Sequence, residues 1–178
     1  MIVCLKNVRF AKKNGYGISG NLSYLAQSYH LNTADQLQGV RIHFAHLNAD
    51  VSTKLFNLMV WSSIDKSNIG AADQVLATKT LQKPIYVDFI VDSLNGWATY
   101  LFDEPINLPA DTFYIGMQQL QPDVLNLGFD VNNDSHTQLY YNNGQQWYQS
   151  VFAGSVMMRP ILGINRPAPT GILNQQIN

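Results

Sequence analysis

Apolar and polar residues alternate with a period of two along most of this chain, and the clearest instance lies between Gly96 and Asp134. That stretch, GWATYLFDEPINLPADTFYIGMQQLQPDVLNLGFDVNND, reads as strand, turn, strand, turn, strand. Asp103-Glu104-Pro105, Leu108-Pro109-Ala110-Asp111 and Gln121-Pro122-Asp123 are its punctuation. Leu125, Leu127 and Phe129 alternate with Asn126, Gly128 and Asp130, the signature of a strand with one buried face. The same pattern predicts a strand over 38–46, with Val40, Ile42 and Phe44 inward and Arg41, His43 and Ala45 outward. Over 54–62 it turns Phe56, Leu58 and Val60 one way and Asn57, Met59 and Trp61 the other. Further strands are expected at 24–31, 75–80, 85–91 and 156–162, the last with Pro160 marking an edge or a bulge. Residues 137–141 and 145–149 form a hairpin around Asn142-Asn143-Gly144. Residues 2–10 are either a short strand or an unstructured arm, and the three glycines of 14–21 favour tight turns.

About ten short strands without a helical period point to an all-β fold of two packed antiparallel sheets. A jelly roll is the expected topology and an immunoglobulin-like sandwich the alternative, although the Cys, Trp, Cys spacing of the latter is absent. The expected core is Val40, Ile42, Phe44, Phe56, Leu58, Val60, Val87, Phe89, Ile115, Leu125, Leu127 and Phe129. A length of 178 residues suits one sandwich domain over 15–163, with an N-terminal arm or strand (1–14) and a linker or extended tail (164–178). A lone cysteine, Cys4, excludes an internal disulfide and reads as a small apolar residue of the first strand.

Charge narrows the function. Eleven Lys and Arg face 12 Asp and Glu, a net charge of -1, with only 13% of residues charged. No basic face for nucleic acid is to be expected from that balance. No apolar run has the length of a bilayer span, so membrane insertion is not expected. The start, MIVCLKNVRFAKK, is interrupted by Lys6, Asn7 and Arg9 and does not resemble a signal peptide. The expectation is either a cytoplasmic chain or a piece whose export signal lies outside it.

Candidate chemistry is sparse. Asp130, Asn132 and Asp134 form D-x-N-x-D, a spacing by which a looped backbone turns alternate oxygens toward calcium. A plain turn, in which the same side chains bond their own backbone, explains them as well. Ser135 and Tyr141 replace the Gly and Glu of an EF-type loop. The glycine-rich stretch lacks the helix and the Lys-Ser or Lys-Thr step of a phosphate loop. Asp88 and Asp92 share a strand face but stand about 13 Å apart, beyond the roughly 5 to 9.5 Å of a glycosidase pair. Asp103 and Glu104 read as a solvated bend, and His30, His43, His46 and His136 lack metal-ligand spacing. The aromatic hairpin is the better candidate. Tyr140, Tyr141, Trp147 and Tyr148, with Asn142 and Asn143 in the turn, combine stacking surfaces with amide groups suited to a sugar ring. Packing of Trp147 and one tyrosine into the core is the competing explanation.

FNLMVWS at 56–62, GWATYLFDEPINL at 96–108, FYIGMQQ at 113–119, LNLGFDVNND at 125–134 and WYQSVFAGSVMMRPILG at 147–163 together resemble a β-sandwich module of large secreted and surface proteins of the Bacteroidota. Such proteins are often exported by the type IX secretion system. The resemblance covers most of 15–163 and implies an extracytoplasmic, accessory or adhesive role with no transferable catalytic set. It implies binding to an extracellular glycan or protein partner, or service as a rigid spacer beside other domains. A polysaccharide hydrolase or lyase on the same fold is the alternative. Two departures stand out: the basic Phe10-Ala11-Lys12-Lys13 replaces an acidic segment before the glycine-rich stretch, and no sorting domain follows the last strand.

Overall fold

The computed structural model describes residues 2–6, 14–47, 49–87 and 96–163, with the backbone alone for 2–6 and 14. Among them run thirteen strands: β1 Ile2–Lys6, β2 Asn14–Ile18, β3 Ser23–His30, β4 Asp35–Ile42, β5 Phe56–Ser63, β6 Gln74–Gln82, β7 Ala98–Leu108, β8 Thr112–Gln119, β9 Leu127–Asp130, β10 Leu139–Asn142, β11 Trp147–Gln149, β12 Ser155–Val156 and β13 Met158–Leu162. One 3-10 turn, His136–Gln138, precedes β10. No α-helix occurs among the described residues.

The pairings show how the chain rolls up. β5 pairs with β6, β4 with β7, β3 with β8 and β2 with β9, all antiparallel. The eight strands are thus one long nested hairpin whose successive rungs fall alternately on two layers. One layer is the six-stranded sheet β11-β10-β3-β8-β5-β6. The other joins β1-β2-β9-β12 to β13-β4-β7 through the bridge between Phe44 and Leu127. With β3-β8-β5-β6 facing β2-β9-β4-β7, this is the jelly-roll sandwich that the strand pattern predicts.

At the seam of the second layer the last strand acts as a wedge. Ser155 and Val156 pair with β9, whereas Met158 to Leu162 pair with β4. The junction is closed by His43 N–H to Met157 O (3.0 Å), Met157 N–H to Gly128 O (2.8 Å) and Gly128 N–H to His43 O (2.8 Å). A Cβ on Gly128 would run into the His43 ring and come within 2.7 Å of Met157 Sδ, so any larger residue would have to displace these side chains. Pro160 lies on β13, an edge strand, where its missing N–H costs no ladder bond.

The main core fills the space between the layers. Val40, Ile42, Phe44, Phe56, Leu58, Val60, Ile115, Leu125, Leu127 and Phe129 all belong to it, Val87 packs against it half-buried, and Phe89 lies outside the described residues. Several boundaries differ from expectation. Residues 14–18 are a strand, not a turn, because β2 is held between β1 and β9. Asp103-Glu104-Pro105 does not end its strand: β7 pairs with β4 at Leu101 and again at Ile106, and the residues between form a bulge opposite Gln38. Ala45 and Asn126 were expected to face solvent and are buried, since Ala45 N–H donates to Asn126 O where the two halves of the layer meet. Residues 85–87 are not in a strand, and the rest of that expected element lies outside the described residues.

Candidate functional site

The β10–β11 hairpin pairs Tyr140 with Gln149, Tyr141 with Tyr148 and Asn142 with Trp147. Alternation across the pleat therefore divides the aromatic set between two faces. Tyr140, Asn142 and Trp147 face outward from the sandwich, while Tyr141 and Tyr148 face the side of the main core.

On the outer face the six-stranded sheet carries a second apolar cluster of Ala26, Met59, Trp61, Ile64, Tyr114 and Trp147, with Tyr24 and Tyr140 packed at its margin. Trp147 is only 4% exposed. Its ring meets Trp61 edge-on (5.9 Å, 86°) and leans on Tyr24 (6.1 Å), and its indole N–H donates to Asp73 Oδ2 at 2.9 Å. The loop from Ile64 to Asp73 clasps this face. The Asp65 carboxylate accepts the N–H groups of Ile69, Gly70 and Ala71, and Asp65 N–H donates to Asp73 Oδ1. Asn68 then accepts from Trp147 N–H (2.9 Å) and donates to Trp147 O (3.0 Å), tying the loop to β11. Tyr140 donates to Thr137 O and meets Tyr114 edge-on, and Lys66 Nζ lies 5.6 and 5.7 Å from the two ring centroids. A hydrogen bond with Tyr114 holds the Lys66 ammonium above its ordinary pKa.

A polar row crosses the same face. Asn57, Gln118, Tyr24, Asn142 and Trp147 are register partners on successive strands. Asn57 accepts from Leu81 N–H and donates to Gln118 Oε1, and Gln118 donates to the Tyr24 hydroxyl (both 2.8 Å). The one sequence signal for this outer cluster is the apolar content of Met59 and Trp61 on the face opposite Leu58 and Val60.

On the other face Tyr141 and Tyr148 stack with centroids 5.3 Å apart and planes at 24°. Tyr141 is half-buried against the main core, whereas Tyr148 is 39% exposed on the edge strand and its hydroxyl donates to Gln146 Oε1. Asn142 Oδ1 accepts Gly144 N–H in the turn, and Asn143 is exposed at the tip. Of the expected platform, then, Tyr148 with Asn143 and Gln146 reaches solvent; Trp147 is packing.

The Asp130 loop is built from turns. Asp130 accepts from Asn132 N–H (2.9 Å) and from the Asn133 side-chain amide (2.6 Å), and these bonds lower its pKa. Asp134 accepts from the N–H groups of His136 and Gly154 and lies 2.7 Å from His136 Nδ1, which together bring its pKa down to about 2. Asn132 is exposed beside them. A calcium ion at Asp130, Asn132 and Asp134 would compete with these donors. Among the described residues no group of three His, Cys, Asp or Glu is placed to share a metal. Asp103 pairs with Lys79 (2.6 Å) and Asp123 with Lys54 (2.8 Å); Asp88 and Asp92 lie outside the described residues.

Fold and surface together define a jelly-roll β-sandwich whose large sheet ends in an aromatic edge hairpin. No protein-family model matches the chain, and neither does any curated protein or solved structure.

Proposed function

We propose that the protein is a non-catalytic accessory module of a secreted or cell-surface protein, and that it binds an extracellular glycan at the exposed edge of the β10–β11 hairpin. The observation that carries this reading is Tyr148. It lies 39% exposed at the rim of the sandwich, is braced by stacking on Tyr141, and has the Gln146 amide bonded to its hydroxyl, with Asn143 exposed in the same turn. Sugar recognition uses this chemistry, with an apolar ring face against an aromatic plane and hydroxyls met by amides. The bracing matters because a side chain already held in place loses little freedom on binding. The carboxylates at Asp65, Asp73, Asp130 and Asp134 serve turns and loop closure, which favours binding over hydrolysis. The extracytoplasmic setting is supported by the resemblance to Bacteroidota surface modules and by a polarity drawn from amides and hydroxyls more than from charge.

A glycan array or pull-down with Tyr148→Ala tests the reading. Binding should fall by about tenfold or more, with the melting temperature essentially unchanged because the ring is at the surface. Retained binding by the variant would move the site away from the hairpin, and no binding by the wild-type protein would leave the spacer role.

A further inference from the structure

On the other layer the outer face of β13-β4-β7 carries a different chemistry. Arg159, Arg41 and Thr99 are register partners on three adjacent strands. Their chain neighbours Met158, Val40, Ile42, Ala98 and Tyr100 are buried in the core, so the row lies on the face turned away from it, where Thr99 is itself covered and the arginines reach solvent. Both arginines are exposed. Like charges directly opposite on neighbouring strands repel and destabilise a sheet, and among the described residues neither arginine has an ion-pair partner. Lys54 and Lys79, by contrast, each sit on a carboxylate. In a chain of net charge -1 this is a local concentration of positive charge without an acidic partner among the described residues.

The guanidinium of Arg159 is also held in place. Its Cζ lies over the Trp97 ring at 3.7 Å from the centroid, which restrains the group, and among the described residues no hydrogen bond occupies its N–H donors. His43 lies beside Trp97, with ring centroids 6.4 Å apart, and bonds Gly96 O through Nδ1. Strands stand about 4.8 Å apart, so guanidinium groups on register partners of adjacent strands are within reach of one planar or tetrahedral oxyanion. A stacked arginine beside a second arginine is suited to bidentate capture of a carboxylate or sulfate.

We propose that Arg41 and Arg159, braced by Trp97, form an anion clamp for the carboxylate or sulfate groups of an acidic polysaccharide. Only the choice of a polysaccharide as carrier rests on the glycan-binding reading; the anion chemistry stands on the arginines themselves.

Affinity electrophoresis or calorimetry against polygalacturonate, dextran sulfate, neutral dextran and polyglutamate tests it. The wild-type protein should bind one or both acidic polysaccharides more tightly than dextran, and added salt should weaken that binding. Preference for polygalacturonate identifies a carboxylate, and for dextran sulfate a sulfate ester. The double variant Arg41→Gln/Arg159→Gln should lose about tenfold or more in affinity at unchanged melting temperature. Arg159→Lys should lose affinity too, since an ammonium lacks the planar fork. Unchanged binding by the double variant, or no preference for acidic over neutral polymer in the wild type, overturns the clamp. Arginine-dependent binding to polyglutamate alone overturns the polysaccharide and makes the partner an acidic protein. If Tyr148→Ala abolishes glycan binding while the arginine variants leave the acidic preference intact, this inference falls and the aromatic-edge reading stands. The reverse result removes the aromatic edge and keeps the clamp.

Discussion

Trp147 and Tyr148 are neighbours in sequence with opposite fates, because the pleat sends one to the outer cluster and the other to the edge. Trp147 fills a space bounded by Trp61, Tyr24 and the 64–73 loop. Trp147→Ala should therefore destabilise the fold by about 3 to 5 kcal/mol in a urea titration. A change under about 1 kcal/mol would show that the loop collapses into the gap. Asp134 supplies a pH signature. Its folded pKa, near 2, lies below the ordinary 3.8, so its hydrogen bonds stabilise the folded state above pH 3.8 and that increment is lost as pH falls toward 2. Asp134→Asn should flatten the stability profile across that window; a profile identical to wild type would mean that the unfolded chain holds the same turn.

At the scale of elements, hairpins and turns follow local chemistry while register follows contacts between distant segments. The β10–β11 hairpin forms around its Asn-Asn-Gly turn as expected, with Leu139 and Trp147 anchoring opposite faces of it. The bend at Asp103-Glu104-Pro105 does not end β7, since pairing with β4 resumes at Ile106 and the misfit is absorbed as a bulge. Gly116 in β8 shows the same dependence on a partner. A Cβ there would clash with the backbone carbonyl of Leu25 in β3, which is not a flexible group that can step aside. Gly116→Ala should cost about 1 to 3 kcal/mol or more through forced separation of β3 and β8, read as a lower denaturation midpoint. An unchanged midpoint would mean that the strands separate freely.

For the whole molecule, the nested hairpin sets a gradient of protection. β8 runs between β3 and β5, with Phe113, Ile115 and Met117 on the core side and Tyr114 buried on the outer side. β6 and β11 are the edges of the same sheet, and β6 exposes Val75, Leu76 and Leu81. Amide exchange followed by mass spectrometry should be slowest in 113–117 and fastest in the outward N–H groups of β6 and β11. Faster exchange in β8 than in β6 would contradict this arrangement of layers. The same architecture separates the aromatic edge from the arginine row, which lie on different layers and can be varied independently.

The sequence by itself determined most of the strands and which side of most of them is apolar, because a period of two is imposed by the backbone and needs no partner to be read. From Val40, Ile42, Phe44, Leu58, Val60 and Leu127 the inner core followed directly. What only the tertiary structure decided were the relations between strands far apart in the chain. The covering of Met59 and Trp61 by the 64–73 loop, the burial of Ala45 and Asn126 at the seam, and the meeting of Arg41 with Arg159 all join segments that composition cannot pair. Alternation tells which face a side chain takes, but the occupant of the space beyond that face depends on how the long hairpin rolls. For that reason Trp147 and Tyr148 were legible as an aromatic pair, and their division into packing and exposed surface was not.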